Sequence, residues 1–218
     1  MMNAKSILVE LAQRFADLRL DAVMIGNAAA AFQGAPVTTL DIDFMVKWTD
    51  DNYKKLALLA QQMKCLFIEM KLPGDNYMYR LENREKSIYI DFLFVAAGIE
   101  SFEGLKERGM DVFFGEHSLR IASLEDILAS KRMAGRPKDL AVLPILEMTL
   151  DENEDNKSKT EPAPIRYSTD PRWPDDLPKP IRVDEDPDRH LIRSLLSIPP
   201  NERTNFLRVP LPNGGSAI

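Results

Sequence analysis

A single cysteine, Cys65, stands in the whole chain, which excludes an internal disulfide framework and fits a reducing, cytoplasmic setting. Its run Cys65-Leu66-Phe67-Ile68 suits a buried, inert thiol. Histidine is almost as scarce: His117 and His190 are the only two and lie far apart, so no zinc-like ligand cluster is available. No segment approaches the roughly 18 consecutive apolar residues of a membrane span, and the first residues show no basic region leading into an apolar run. The chain therefore reads as cytoplasmic, with no membrane partner. An excess of positive charge is missing too. With 28 Lys and Arg against 34 Asp and Glu the net charge is −6, which argues against nucleic-acid binding by overall charge.

Proline is sparse only in part. Four of the 15 prolines fall in residues 1–150 and eleven in residues 151–218. Proline removes a backbone donor and fixes φ, so the second part has little room for regular structure. The polar run DENEDNKSKTEPAP at 151–164 reads as a solvated linker. It divides a domain over 1–150 from a Pro-rich tail over 165–218.

What is present in the first part is regular periodicity. Ile7, Leu8, Leu11, Phe15 and Leu18 recur at helical spacing. Asp21-Ala22-Val23-Met24-Ile25 reads as a short buried strand ending at Gly26, and Asn27 to Gln33 suit a helix. Residues 40–46 form a second strand, and Thr49 with Asp50 and Asp51 opens a helix over 50–64. Strands are expected at 65–70, 77–82 and 87–95, a helix at 99–108, and a hairpin around Gly115. Ser123-Leu124-Glu125-Asp126 opens a further helix that ends near Gly135. Pro137 can start the last one, which Pro144 should kink or shorten. This order describes a mixed sheet with packed helices, of the α+β or α/β class.

The chemistry concentrates in three carboxylates. In a strand, Asp41 and Asp43 share one face about 6.6–7 Å apart, while Ile42 and Phe44 point into a core. Asp91 stands in the apolar run Ile88-Tyr89-Ile90-Asp91-Phe92-Leu93-Phe94-Val95, where a buried carboxylate needs a partner, a proton or solvent. Pairing of the 87–95 strand with the 40–46 strand brings all three together around a divalent, oxygen-preferring cation such as Mg²⁺. Two such ions can hold a nucleoside triphosphate and activate an attacking oxygen. Two plainer readings stay open. The Asp41/Asp43 pair can be a solvated strand face, and Asp91 can pair with Arg80 or Lys71 across the sheet.

Together these residues resemble the nucleotidyltransferase family with the polymerase β-like fold. Its pattern is a strand, a Gly-Gly or Gly-Ser turn, a short helix, a D-x-D strand and a third acid on a later strand. Here Gly26-Asn27 occupies the turn, Asp41-Ile42-Asp43 the acidic pair and Asp91 the third position. The match is closer to a bacterial branch that includes AbiEii-type toxins and stand-alone enzymes, whose members often read G-x-x-R-x-T-x-D-[IVL]-D. This chain has Gly34-Ala35-Pro36-Val37-Thr38-Thr39-Leu40-Asp41-Ile42-Asp43, and its segment from Ser123 to Leu140 also fits that branch. Asn27 departs from the usual Gly or Ser, and Val37 from the arginine. The resemblance covers roughly residues 5–148. It implies metal-dependent transfer of a nucleotidyl group from an NTP to a hydroxyl of a tRNA, a protein or a small molecule, as the toxin of a toxin–antitoxin system. Asp41, Asp43 and Asp91 would bind metal, with Asp91 also activating the acceptor. Gly26, Asn27, Thr39 and Lys131 would hold the nucleotide. The alternative is a catalytically silent, antitoxin-like or RNA-binding protein that keeps the fold.

Lys131, Arg132, Arg136 and Lys138 place four positive charges within eight residues, suited to a triphosphate or an RNA acceptor. An exposed helix end complementing its own dipole is the plain alternative. In the tail, 165–183 reads as extended. Asp186 to Ile198 can form a helix with Leu191, Leu195 and Leu196 on one face, followed by a second short helix from Pro199. Such a face must dock on the domain or on a partner. The tail is thus either a tethered antitoxin-like regulator over the active site or an irregular appendage, and a separate cognate antitoxin is the other partner that the resemblance implies.

Overall fold

The computed structural model describes residues 4–72, 76–85, 88–158, 187–206, 209–210 and 216–217. The Pro-rich stretch 165–183, expected to be extended, lies outside the described residues.

The amphipathic pattern at the start forms α1 (Ala4–Leu18), with Ile7, Leu8, Leu11 and Phe15 buried as their spacing dictates. The chain then lays down β1 (Ala22–Ile25), α2 (Gly26–Phe32), β2 (Ile42–Val46), α3 (Asp50–Gln62), β3 (Leu66–Lys71), β4 (Tyr77–Asn83) and β5 (Ile88–Leu93). After these come α4 (Phe102–Arg108), the β6 (Met110–Phe114) and β7 (His117–Ile121) hairpin, α5 (Leu124–Ala134), α6 (Pro137–Leu140) and α7 (Leu143–Ser158). Side chains cap three of the helices as the sequence dictates. Thr49 accepts from the Asn52 N–H, Ser101 from the Gly104 N–H and Ser123 from the Asp126 N–H.

Seven strands form one mixed sheet in the order β3-β4-β5-β2-β1-β7-β6. The β2–β5 and β1–β7 pairs are parallel and the others antiparallel. Because side chains alternate, β2 and β5 have two different faces. Phe44 and Phe92 stack 5.6 Å apart on one face, and Phe15 of α1 meets Phe44 edge-on at 4.9 Å. Asp43 and Asp91 lie on the other. The α2 helix, with Ala28 to Phe32 all buried, packs against β1, β2 and α5. Among the described residues no helix is long and apolar enough to cross a membrane.

Several boundaries differ from the sequence expectation. The helix that Pro137 opens is shortened, ending at Leu140, and is not kinked at Pro144. The chain breaks at residues 141–142, and Pro144 sits in the first turn of α7, where its missing N–H has no intrahelical partner to lose. The expected linker at 151–164 is helical through Ser158, because Glu152 is fully buried against two arginines and ties the polar run to the body. Cys65 is half-buried and donates to the Met63 carbonyl at 3.7 Å.

The arginines on Glu152 come from the tail. There α8 (Pro187–Leu196) packs on α7, and a 3-10 segment (Pro200–Phe206) packs on α2. Arg189 Nη1 and Arg193 Nε donate to Glu152 at 2.5 and 2.6 Å. Burial alone would raise the Glu152 carboxyl, but Arg193 and Arg189 outweigh it and hold it below the ordinary range. The docked face is Ile192, Leu195 and Leu196; Leu191, expected there, is exposed. Arg203 is buried and donates to the carbonyls of Phe32 at 2.7 Å, Ile198 at 2.8 Å and Leu196 at 3.1 Å. Leu196 fills the space at Gly34, whose φ of +99° no side chain adopts readily. These contacts lie at the C-terminal end of α2, away from Gly26 and the carboxylates. The described tail residues therefore brace the helix from its far end.

Arg203→Ala leaves three carbonyls short of a charged donor. We expect a loss of about 2–3 kcal/mol, or roughly 4–12 °C in Tm for a chain of this size, read by urea and thermal unfolding. An unchanged midpoint would show that the tail adds nothing to the stability of the domain.

Candidate active site

Strand register builds the site. Asp43 is the partner of Asp91 in the parallel β2–β5 pair, and Asp91 is the partner of Arg80 in the antiparallel β4–β5 pair. On the other flank Ile25 pairs with Asp43. One transverse row thus reads Arg80, Asp91, Asp43, Ile25. Asp41 lies just before β2, which starts at Ile42 and not at residue 40 as expected. Even so, its carboxylate reaches the other two: one oxygen from each of Asp41, Asp43 and Asp91 falls within 4.8 Å of the others. The three acids named from the sequence are therefore brought together.

The structure gives Gly26 a steric role. Its φ is +71°, and a Cβ there would lie 2.4 Å from Asp43 Oδ2. Only glycine lets the backbone that opens α2 approach this carboxylate so closely. Asn27 follows, with its Nδ2 3.4 Å from the Thr38 carbonyl, while its Oδ1 is buried without a partner. Thr39 donates from Oγ1 to Asp41 Oδ1 at 2.7 Å and so orients the first acid. Val37, at the position of the branch's arginine, is buried in the core.

Positive charge comes from elsewhere. Arg80 forks onto Asp91, with Nε to Oδ1 at 2.7 Å and Nη2 to Oδ2 at 2.6 Å, and its Nη2 stands 3.9 Å from Asp41 Oδ2. The alternative pairing of Asp91 with Arg80 thus holds at the same time as the three-acid cluster. Lys131 is buried on α5 and donates to Asp139 at 3.3 Å. Burial pushes the Asp139 carboxyl up, but Arg136 and Lys131 outweigh it and hold it below the ordinary range. Arg136 also binds Asp139, at 2.5 Å, and Arg132 binds Glu147, at 2.5 Å. Three of the four clustered cations therefore have carboxylate partners. Lys138 is exposed and, with Lys131, draws the Asp43 carboxyl downward.

Sequence reasoning missed Asp139 as the residue that fixes Lys131. It lies eight residues on, across the break at Gly135 and Pro137. The left-handed cap at Gly135 reverses the chain and brings the two together.

Repulsion inside the cluster is visible in Asp43. Burial first, then Asp41 and Asp91, push its carboxyl up from 3.8 to about 7. An acid whose folded value exceeds its unfolded one holds its proton more tightly when folded. Its contribution is complete below the unfolded 3.8 and is lost as pH rises to about 7. Metal-free Asp43→Asn should then be more stable than wild type at pH 8, by up to about 4 kcal/mol, with the gap closing toward pH 4. Urea unfolding in EDTA at several pH values measures it, and equal stability at pH 8 would remove the crowding account. In the same assay Gly26→Ala should cost about 1–3 kcal/mol through its left-handed backbone.

No protein-family model matches the chain, and no curated protein does. Solved structures overlap it in part. An antigenic nucleotidyltransferase-like protein from Paracoccidioides brasiliensis is 17% identical at a TM-score of 0.41, over 68% of this chain and 76% of its own. The lincosamide antibiotic adenylyltransferase LnuA, lincomycin-bound, is 12% identical at 0.45, over 64% and 94%. Antibiotic-resistance factor ANT(2'')-Ia is 12% identical at 0.47, over 72% and 90%. Overlaps this partial carry no activity or substrate from those proteins to this chain.

Proposed function

We propose that this chain is a divalent-cation-dependent nucleotidyltransferase that moves a nucleotidyl group from a nucleoside triphosphate to a hydroxyl acceptor. The observation that carries the reading is the convergence of Asp41, Asp43 and Asp91 within 4.8 Å. The donor set fits Mg²⁺: it is all oxygen and anionic, and the missing Cβ at Gly26 leaves Asp43 Oδ2 its place. A divalent ion on these acids supplies neutralisation of triphosphate charge and a template for the phosphates.

The chain's own groups then do the rest. Thr39 holds Asp41 in one orientation, and Gly26 admits Asp43 beside the start of α2. Lys131 and Lys138 add positive charge on the Asp43 side, suited to the triphosphate. In the reaction the acceptor oxygen bonds to the α-phosphorus, and the bond from that phosphorus to the α,β-bridging oxygen breaks. Pyrophosphate leaves with the bridging oxygen, and the hydroxyl proton passes to a carboxylate of the cluster or to solvent. Positioning and charge neutralisation account for most of the rate in such transfers.

A second reading, a silent binding protein that keeps the fold, has one observation behind it. Arg80 already neutralises Asp91 without any ion. Incubation with Mg²⁺ and each α-labelled nucleoside triphosphate, with and without total tRNA and cell extract, separates the two. We expect label transfer that falls at least about 100-fold in Asp41→Ala and Asp43→Ala, the order of loss when a main electrostatic group is removed. Transfer that persists in both variants would sink the site assignment, and no transfer to any acceptor would leave the silent reading.

A further inference from the structure

Arg80 is placed in the acid cluster by the sheet itself. It is the cross-strand partner of Asp91 in the β4–β5 register, and Ile68 of β3 is its partner on the other side. Both oxygens of Asp91 are engaged by one planar fork, at 2.7 and 2.6 Å. Such bidentate pairs are among the strongest charged hydrogen bonds and fix geometry as well as charge. Asp91 is 4% exposed, so its carboxylate sits largely out of water. Moving the guanidinium aside would strip a buried carboxylate of its bidentate counter-charge. The same guanidinium lies 3.9 Å from Asp41 Oδ2. One fixed cation therefore touches Asp91 and approaches Asp41, and the side of the cluster left to a mobile ion is that of Asp41 and Asp43.

We propose that Arg80 takes the place of a second cation: the site accepts one divalent ion, on Asp41 and Asp43, while Arg80, held by Asp91, supplies the other positive charge. This rests on the nucleotidyl-transfer reading and changes its metal count. Asp91 becomes a positioning residue for Arg80 and not an ion ligand. An ion shared between Asp43 and Asp91 would stand beside a guanidinium that cannot lose its proton, and like charges in so small a space exclude each other.

The test counts ions and does not depend on turnover. Full-length protein, stripped with EDTA, is titrated with Mn²⁺ alone, and bound ions are counted from the loss of the free-Mn²⁺ electron paramagnetic resonance signal. Wild type should bind one ion, and Arg80→Gln, which frees Asp91, should bind two. Two ions in wild type, or one in both proteins, would overturn the proposal while leaving the metal site standing. No bound ion in wild type would overturn the metal reading and this proposal with it. Asp91→Asn keeps the test decisive if Arg80→Gln fails to fold. As a positioning residue it should change the wild-type Mn²⁺ Kd less than threefold, whereas loss of an ion ligand should weaken it more than tenfold.

Discussion

Three carboxylates forced into one small volume repel each other, and most of what surrounds them answers that repulsion. Parallel pairing of β2 with β5 aligns Asp43 with Asp91, so neither can be moved without shifting a buried strand by a residue and turning its apolar face outward. Counter-charge arrives from three directions. Arg80 comes along the register row, while Lys131 and Lys138 come from the helices above Asp43. Even so, the Asp43 carboxyl stays far above its ordinary value. A protein that only needed a stable sheet would place leucine or valine here. The strain is retained at a single point, as is usual where a site must receive a charge.

Much of this was legible in the letters. Asp41 and Asp43 are separated by one residue, and Asp91 interrupts an apolar run; both are patterns that periodicity exposes. The caps at Thr49 and Ser123 follow from local chemistry, as does the stop at Gly135. What the letters do not show depends on distant partners. Glu152 reads as one more acid in a polar run, and nothing local says that two tail arginines will bury it. Gly26 reads as a turn glycine for a phosphate, yet its closest constraint is Asp43, reached only through the β1–β2 pairing. Val37 in place of an arginine reads as a loss of charge. Arg80, on another strand, brings charge to the cluster from elsewhere.

The tail shows the same logic of distant partners. Proline density argues that little regular structure is available to the tail, but it says nothing about the value of the two short helical pieces described there. Arg203 finds a carbonyl at the end of α2, and Leu196 finds the one glycine beside it with room for a methyl group. A seven-residue helix such as α2 has little stability of its own. It is held by burial along its length and by the tail at its end.

The Arg80–Asp91 pair also bears on the order in which the chain assembles. The two residues are eleven apart in sequence and face each other within a local antiparallel pair. Asp43 reaches them only across α3, β3 and β4. Closing the short loop costs less chain entropy than closing the long one. The guanidinium can therefore neutralise Asp91 in the hairpin before β2 docks and buries it. Asp91 can thus enter the interior already paired, and Arg80 remains its partner in the finished site.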